Sequence, residues 1–232
     1  MKVRVKFEKT GALKYIGHLD VMRFFQKLNR RAMIPVVYSE GFSPHQILSF
    51  SPPLSLGAES YGEYADMEVA EGITSAEAIK RLNESTVQGI KILSFKKLPE
   101  RALNAMAAVT AARYICSLKD STGYTGDISN DLRQLLDRDA IMVEKKTKKN
   151  EMLVDIKPLI YEFKILDEDE GKAEFLLSAG SVNNLKPELI YKAIFDPIGF
   201  ETESHFLDII RVDLYTGDKD NLISLDDIGT AI

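Results

Sequence analysis

Residues 2–8, KVRVKFE, alternate apolar Val3, Val5 and Phe7 with charged positions, the period of a strand with one buried face. Lys9–Gly11 turns the chain, and from His18 to about Met33 the pattern becomes that of a helix. At about 100° per residue, Val21, Phe24, Phe25, Leu28 and Ala32 gather on one side and Arg23, Lys27 and Arg30 on the other, with Arg31 on the flank. Pro35 ends the helix. Four prolines and two glycines between Pro35 and Gly57 predict a constrained loop with one short strand near Ile47–Phe50. A strand over 60–69, a helix over Thr74–Glu84 and a strand over Ile90–Phe95 follow, Thr74 and Glu77 standing in capping-box spacing. The order β-α-β-β-α-β is that of a ferredoxin-like sandwich, two helices on one face of an antiparallel sheet.

The alanine-rich stretch Pro99–Ala112 reads as a linker or short helix, after which the same order recurs. Strands are predicted at Arg113–Leu118, Ile141–Lys146, Met152–Ile156, Tyr161–Asp167, Ala173–Ser178 and Ile209–Tyr215. Helices fall over Asp127–Leu136, with Asp127 as N-cap, and over Pro187–Phe195. The fold class is therefore α+β: two ferredoxin-like α/β sandwich halves with antiparallel sheets, over 1–98 and 113–217. Residues 218–232, acidic and outside both halves, are expected to fray.

Composition narrows the function classes. The chain has one cysteine among 232 residues, which excludes an internal disulfide and any cluster or zinc site built on several thiolates. Cys116 lies in the strand-like ARYICSLK, the setting of a buried small hydrophobe. No apolar run approaches the roughly 20 residues that span a bilayer, and the first residues lack a signal-peptide core. A cytoplasmic protein without membrane contact is the expectation. The net charge of −5 divides unevenly: residues 1–57 hold nine Lys/Arg against three Asp/Glu, or +6, and the remainder 21 against 32, or −11. Such asymmetry marks an anionic partner at the basic end or a solvated mixed surface.

The candidate chemistry sits in that basic end. Arg23, Lys27, Arg30 and Arg31 form a stripe suited to tracking backbone phosphates; a solvated helix back is the plain alternative. The loop Tyr38-Ser39-Glu40-Gly41-Phe42-Ser43-Pro44-His45 sets aromatics among hydroxyls, where Tyr38, Phe42 and His45 could stack on a base or Phe42 could fold back into the core. His18, His45 and His205 show no metal-ligand spacing, and His18 and Asp20, two apart, do not share a helix face. SFSPPLSLG lacks the GxxxxGK[ST] of a phosphate-binding loop. The run Lys145-Lys146-Thr147-Lys148-Lys149, in a predicted hairpin turn, is a secondary polyanion candidate. No metal or cofactor is expected.

The segment GHLDVMRFFQKLNRRAMIPVVYSEGFSPHQILSFSPPLSLGAESYGEY resembles the signature region of the radical-SAM-associated family of unknown function, whose members occur as separate chains or as C-terminal extensions of radical SAM enzymes. The likeness is densest over about residues 14–64 and weaker through VDIKPLIYEF and IIRVDLYTG. It draws attention to His18, Asp20, Arg23, Arg30, Arg31, Tyr38, Ser39, Gly41, Phe42, Pro44, His45, Gly57, Ser60 and Glu63. One departure stands out: Gln46 and Ile47 occupy the place where the family often has Pro-Lys. The resemblance implies a radical SAM enzyme as partner. With Cys116 alone, the chain cannot itself hold the CxxxCxxC-bound cluster of such an enzyme.

Three readings follow. The first is a non-catalytic accessory protein binding RNA, or an RNA-containing substrate, through Arg23, Lys27, Arg30, Arg31, Tyr38, Ser39, Phe42 and His45. The second is a metal-independent endoribonuclease using His18 or His45 as general base. The third is a protein-interaction adaptor without RNA.

Overall fold

The computed structural model describes residues 1–146, 151–180, 183–201 and 205–232. In chain order the elements begin β1 (Lys2–Lys9), α1 (His18–Arg31), β2 (Leu48–Phe50), β3 (Glu59–Glu68), α2 (Ser75–Ser85) and β4 (Ile90–Lys97). A short helix α3 (Ala105–Ala108) leads into β5 (Ala111–Leu118) and α4 (Ile128–Leu136). Next come β6 (Met142–Lys146), β7 (Glu151–Asp155), β8 (Ile160–Asp167) and β9 (Lys172–Ser178), then α5 (Pro187–Phe195), β10 (Leu207–Thr216) and β11 (Ile223–Ser224). The result is a mixed α+β chain in which β1 with β3 and β4, β2 with β3, β6 with β7, β8 with β9 and β10 with β11 pair antiparallel. No helix among the described residues is long and apolar enough to cross a membrane.

Two compact units emerge: residues 1–111 with 211–232, and residues 112–210. In the first, β1 lies between β4 and β3, and β2 pairs β3 opposite Ala65–Met67. The alternation of β1 places Val3, Val5 and Phe7 in the core. Phe25 of α1 inserts between Phe7 and Phe50, at ring-centroid distances of 4.5 and 5.4 Å. Losing such a buried ring would cost about 3–5 kcal/mol. α2 begins at Thr74, whose hydroxyl accepts the Glu77 amide; Glu77 itself turns to Arg81, so half of the capping box forms.

In the second unit β5, β9 and β8 lie side by side in that order, with residues 207–210 of β10 beside β5, and β6 with β7 form a separate hairpin. Asp127 caps α4 by accepting the Asn130 amide, and Pro187 opens α5. Cys116 is fully buried, and burial pushes its thiol well above the ordinary range, as befits a core residue. The turn predicted around Lys148–Asn150, with Thr147, lies outside the described residues.

Two expectations are corrected. Residues 218–232 do not fray. β11 pairs β10, Leu225 is fully buried, Asp226 pairs with Lys96 at 2.7 Å, and Thr230 bridges Lys97. The boundary also moves, because the chain from Arg211 returns to the first unit. Buried charges explain the return: Arg211 binds Glu63, and Asp213 accepts from the Tyr64 hydroxyl and pairs with Lys6 at 3.0 Å. Gly62 permits the approach, since a Cβ there would stand 2.6 Å from the Asp213 Cα. Of the two readings of Pro99–Ala112, the short helix is the one that forms, as α3. The Asp66 carboxylate takes the Ala105 amide at 2.7 Å, and Ala105, Ala108 and Val109 are buried.

Candidate nucleic-acid interface

The loop after α1 is a small hairpin. Val37 donates to Glu68 at 2.8 Å, Ile47 to Val37 at 3.2 Å and Ser39 to His45 at 2.8 Å, so its base is fixed to the end of β3. The Ser39 hydroxyl closes the tip, accepting the His45 amide at 3.1 Å and meeting His45 Nδ1 at 2.9 Å. Ser39 and His45 thus spend polar groups on shaping the loop. Gly41, at φ +111°, makes the turn that places Phe42 at the apex. The Phe42 side chain is wholly exposed, at 111% relative accessibility. It does not fold back into the core.

A polar brace ties this loop to α1. Gln46, buried, donates Nε2 to the Gln26 carbonyl at 2.9 Å and to the Tyr38 hydroxyl at 3.3 Å. Its Oε1 accepts from Asn29 Nδ2 at 3.0 Å. Asn29 is 1% exposed, a polar residue in line with the apolar stripe, and its Oδ1 has no partner. Arg30 Nε also donates to the Gln26 carbonyl, at 3.2 Å. Gln46 and Arg30 therefore share one acceptor, which sets a cation of the helix at the seam with the loop.

The other cations occupy the solvent face. Arg23, Lys27, Arg30 and Arg31 are all exposed. Arg23 pairs with Asp20 at 3.3 Å in an open i,i+3 contact, which is worth little but offsets part of its charge. Arg31 lies 5.7 Å over the half-buried Phe24 ring. Tyr38 is partly exposed beside the brace. The structure thus brings the stripe and the loop together on one unit, through Asn29, Gln26 and Gln46. Sequence reasoning did not assign those three a role. The signal for Asn29 was legible, since an amide four residues after Phe25 interrupts an apolar stripe.

His18 is elsewhere. It opens α1, half-buried, its ring edge-on to Phe50 at 5.8 Å. Gln26 and Asn29 lie 8 and 11 residues further on, so at 1.5 Å per residue the loop stands about 12–16 Å along the helix from His18. The two histidines cannot act on one phosphodiester as a pair. Among the described residues no group of three or more His, Cys, Asp or Glu could hold a metal. The second unit has a cavity of about 520 Å³, lined by Lys119, Asp120, Tyr124, Asp169, Glu170 and Asp208 among others. Its acids make it a poor seat for a polyanion.

A model of one protein family, described as an uncharacterized protein conserved in bacteria, matches residues 2–187. No curated protein matches the chain. Among solved structures the chain is similar to a heavy metal efflux pump at 9% identity and a TM-score of 0.23, over 95% of this chain and 28% of that one. A likeness of that order carries no functional argument.

Proposed function

The chain belongs to that bacterial family, DUF2344, and on that footing we propose that it is a non-catalytic accessory protein that binds RNA, or an RNA-containing substrate, in single-stranded form. One observation carries the reading: the exposed Phe42 loop and the cationic face of α1 are joined by Gln46 and Arg30 on the Gln26 carbonyl. Cations that follow phosphates beside an aromatic that stacks on a base are the two elements of sequence-tolerant single-strand binding. Exposing a whole phenyl ring at a loop apex gains nothing for folding, which favours a role in contact with a ligand.

The resemblance of residues 14–64 to radical-SAM-associated proteins adds a radical SAM enzyme as the partner that acts on the bound substrate. We further propose that both units are ferredoxin-like halves. In the first, β1-α1-β2-β3-α2-β4 pairs in the order β4-β1-β3-β2; in the second, β5-α4-β8-β9-α5-β10 pairs as β10-β5-β9-β8, with β6 and β7 inserted. A sheet-and-helix sandwich of this kind hosts RNA binding in other proteins, an analogy of fold alone.

Binding of a fluorescein-labelled single-stranded RNA, read by anisotropy, tests the reading. Wild type should bind, Phe42→Ala should bind more weakly, and His18→Ala should retain binding. RNA cleavage lost in His18→Ala or His45→Ala would favour a nuclease instead. Wild-type affinity no greater than that of an unrelated acidic protein would favour an adaptor without RNA.

A further inference from the structure

Gln46 is buried, and a backbone group fixes the direction of its hydrogen bonds. The atom facing the Gln26 carbonyl, at 2.9 Å, must be the amide nitrogen, because a carbonyl only accepts. The carboxamide oxygen of Gln46 therefore faces Asn29, whose Nδ2 donates to it at 3.0 Å. The Gln46 nitrogen carries two protons. One goes to the Gln26 carbonyl and the other to the Tyr38 hydroxyl oxygen, at 3.3 Å. Tyr38 thus accepts at this bond, and its own phenolic proton is left to donate elsewhere.

That proton faces the solvent side of the seam. Tyr38 is 46% exposed, and among the described residues nothing accepts from its hydroxyl. Arg30 stands beside it. Its Nε donates to the same Gln26 carbonyl at 3.2 Å, which leaves both Nη groups of an exposed guanidinium to donate outward. Arg23 has Asp20 to offset its charge; among the described residues Arg30 has no such acid. Tyr38 and Arg30 are three hydrogen bonds apart, through the Gln46 amide and the Gln26 carbonyl. That carbonyl already takes two donors, and the Gln46 oxygen is turned to buried Asn29. What the seam offers a ligand is therefore a pair of donors, one neutral and one charged.

We infer that the seam is a phosphodiester subsite, in which the Tyr38 hydroxyl and the Arg30 guanidinium hold the oxygens of one phosphate of the strand. Gln46 is a positioning residue that turns the phenolic proton outward. A phosphodiester is anionic and accepts without donating, the complement of such a pair. Base edges and the ribose 2′-hydroxyl carry donors as well. The inference rests on the single-strand reading and deepens it: Tyr38 acts as a hydrogen-bond donor, and Phe42 is left as the stacking ring. It also gives a role to Asn29, a buried amide with an unpartnered Oδ1, which holds the Gln46 amide in that orientation.

Anisotropy with one labelled single strand, prepared as RNA, as DNA and with neutral methylphosphonate linkages, tests the inference on the full chain. Tyr38→Phe keeps the ring and removes the proton, and should bind the RNA and the DNA about tenfold more weakly, the weight of a hydrogen bond to a charged group. The phenol is neutral, so the salt slope should stay unchanged, whereas Arg30→Gln should flatten it by about 0.7. On the methylphosphonate strand Tyr38→Phe should differ from wild type by about twofold or less, which a merely distorted loop would not do. In a Gln46→Leu background, folded by circular dichroism, the Tyr38→Phe loss should shrink to about threefold or less. Wild-type RNA affinity in Tyr38→Phe overturns the inference and leaves the RNA reading standing. A loss confined to RNA places the phenol on the 2′-hydroxyl, and a full loss on the methylphosphonate strand removes the phosphate; either overturns it. An undiminished loss beside Gln46→Leu overturns the positioning role. Absence of RNA binding by wild type overturns the reading on which the inference rests.

Discussion

Replacing Gln46 by leucine removes the brace between α1 and the loop. Three hydrogen bonds disappear: to the Gln26 carbonyl, to the Tyr38 hydroxyl and from Asn29 Nδ2. The two groups at Gln26 and Tyr38 are near solvent and regain water, so their loss costs little. Asn29 is different. It is 1% exposed and its Oδ1 is already unpartnered, so Gln46→Leu leaves the whole carboxamide buried without a partner. A stranded buried polar group costs about 1–3 kcal/mol, and burying leucine in place of the amide returns part of that, so the expected loss is about 1–2 kcal/mol. Urea unfolding followed by circular dichroism measures it, as a lower midpoint at unchanged slope. The double variant Asn29→Leu/Gln46→Leu replaces both partners by apolar groups and should recover most of the loss. A Gln46→Leu protein within about 0.3 kcal/mol of wild type, or a double variant showing the plain sum of the singles, would refute the reasoning.

Arg4 and Asp66 form a buried pair with bonds of 2.8 and 2.9 Å, and Asp66 also holds the Ala105 amide; Asp66→Ala should cost about 3–5 kcal/mol in urea unfolding because it strands the guanidinium. Leu225→Ala should lower stability by about 2–4 kcal/mol, whereas a frayed terminus would show no change.

The regular elements were legible because their patterns are local. Val3, Val5 and Phe7 alternate and are buried; Val21, Phe25, Leu28 and Ala32 recur at helical spacing and face the core. Asp127 and Pro187 mark helix starts by chemistry that acts within one turn. What escaped the reading depends on partners far along the chain. Nothing near residue 211 tells that its guanidinium meets Glu63, 148 residues away, so the return of the C-terminal segment to the first unit was missed. The acidic composition of 218–232 suggested fraying, while Lys96 on β4 supplies the partner that holds Asp226. The stripe and the loop were each visible as candidates. Their joining through Gln46 was not, because a glutamine in a loop gives no sign that it will be buried.

The central claim is that the cationic face of α1 and the Phe42 loop form one surface for single-stranded RNA. The most direct measurement is a salt titration of RNA affinity for wild type, Arg23→Ala/Lys27→Ala/Arg30→Ala and Phe42→Ala. Each lost phosphate contact flattens the slope of log K against log salt by about 0.7 on single strands. The triple variant should therefore flatten it by up to about 2, less whatever share of Arg23 is neutralised by Asp20. Phe42→Ala should lose about 1–3 kcal/mol of affinity with the slope retained. Equal slopes in wild type and the triple variant, together with unchanged affinity in Phe42→Ala, would contradict the account.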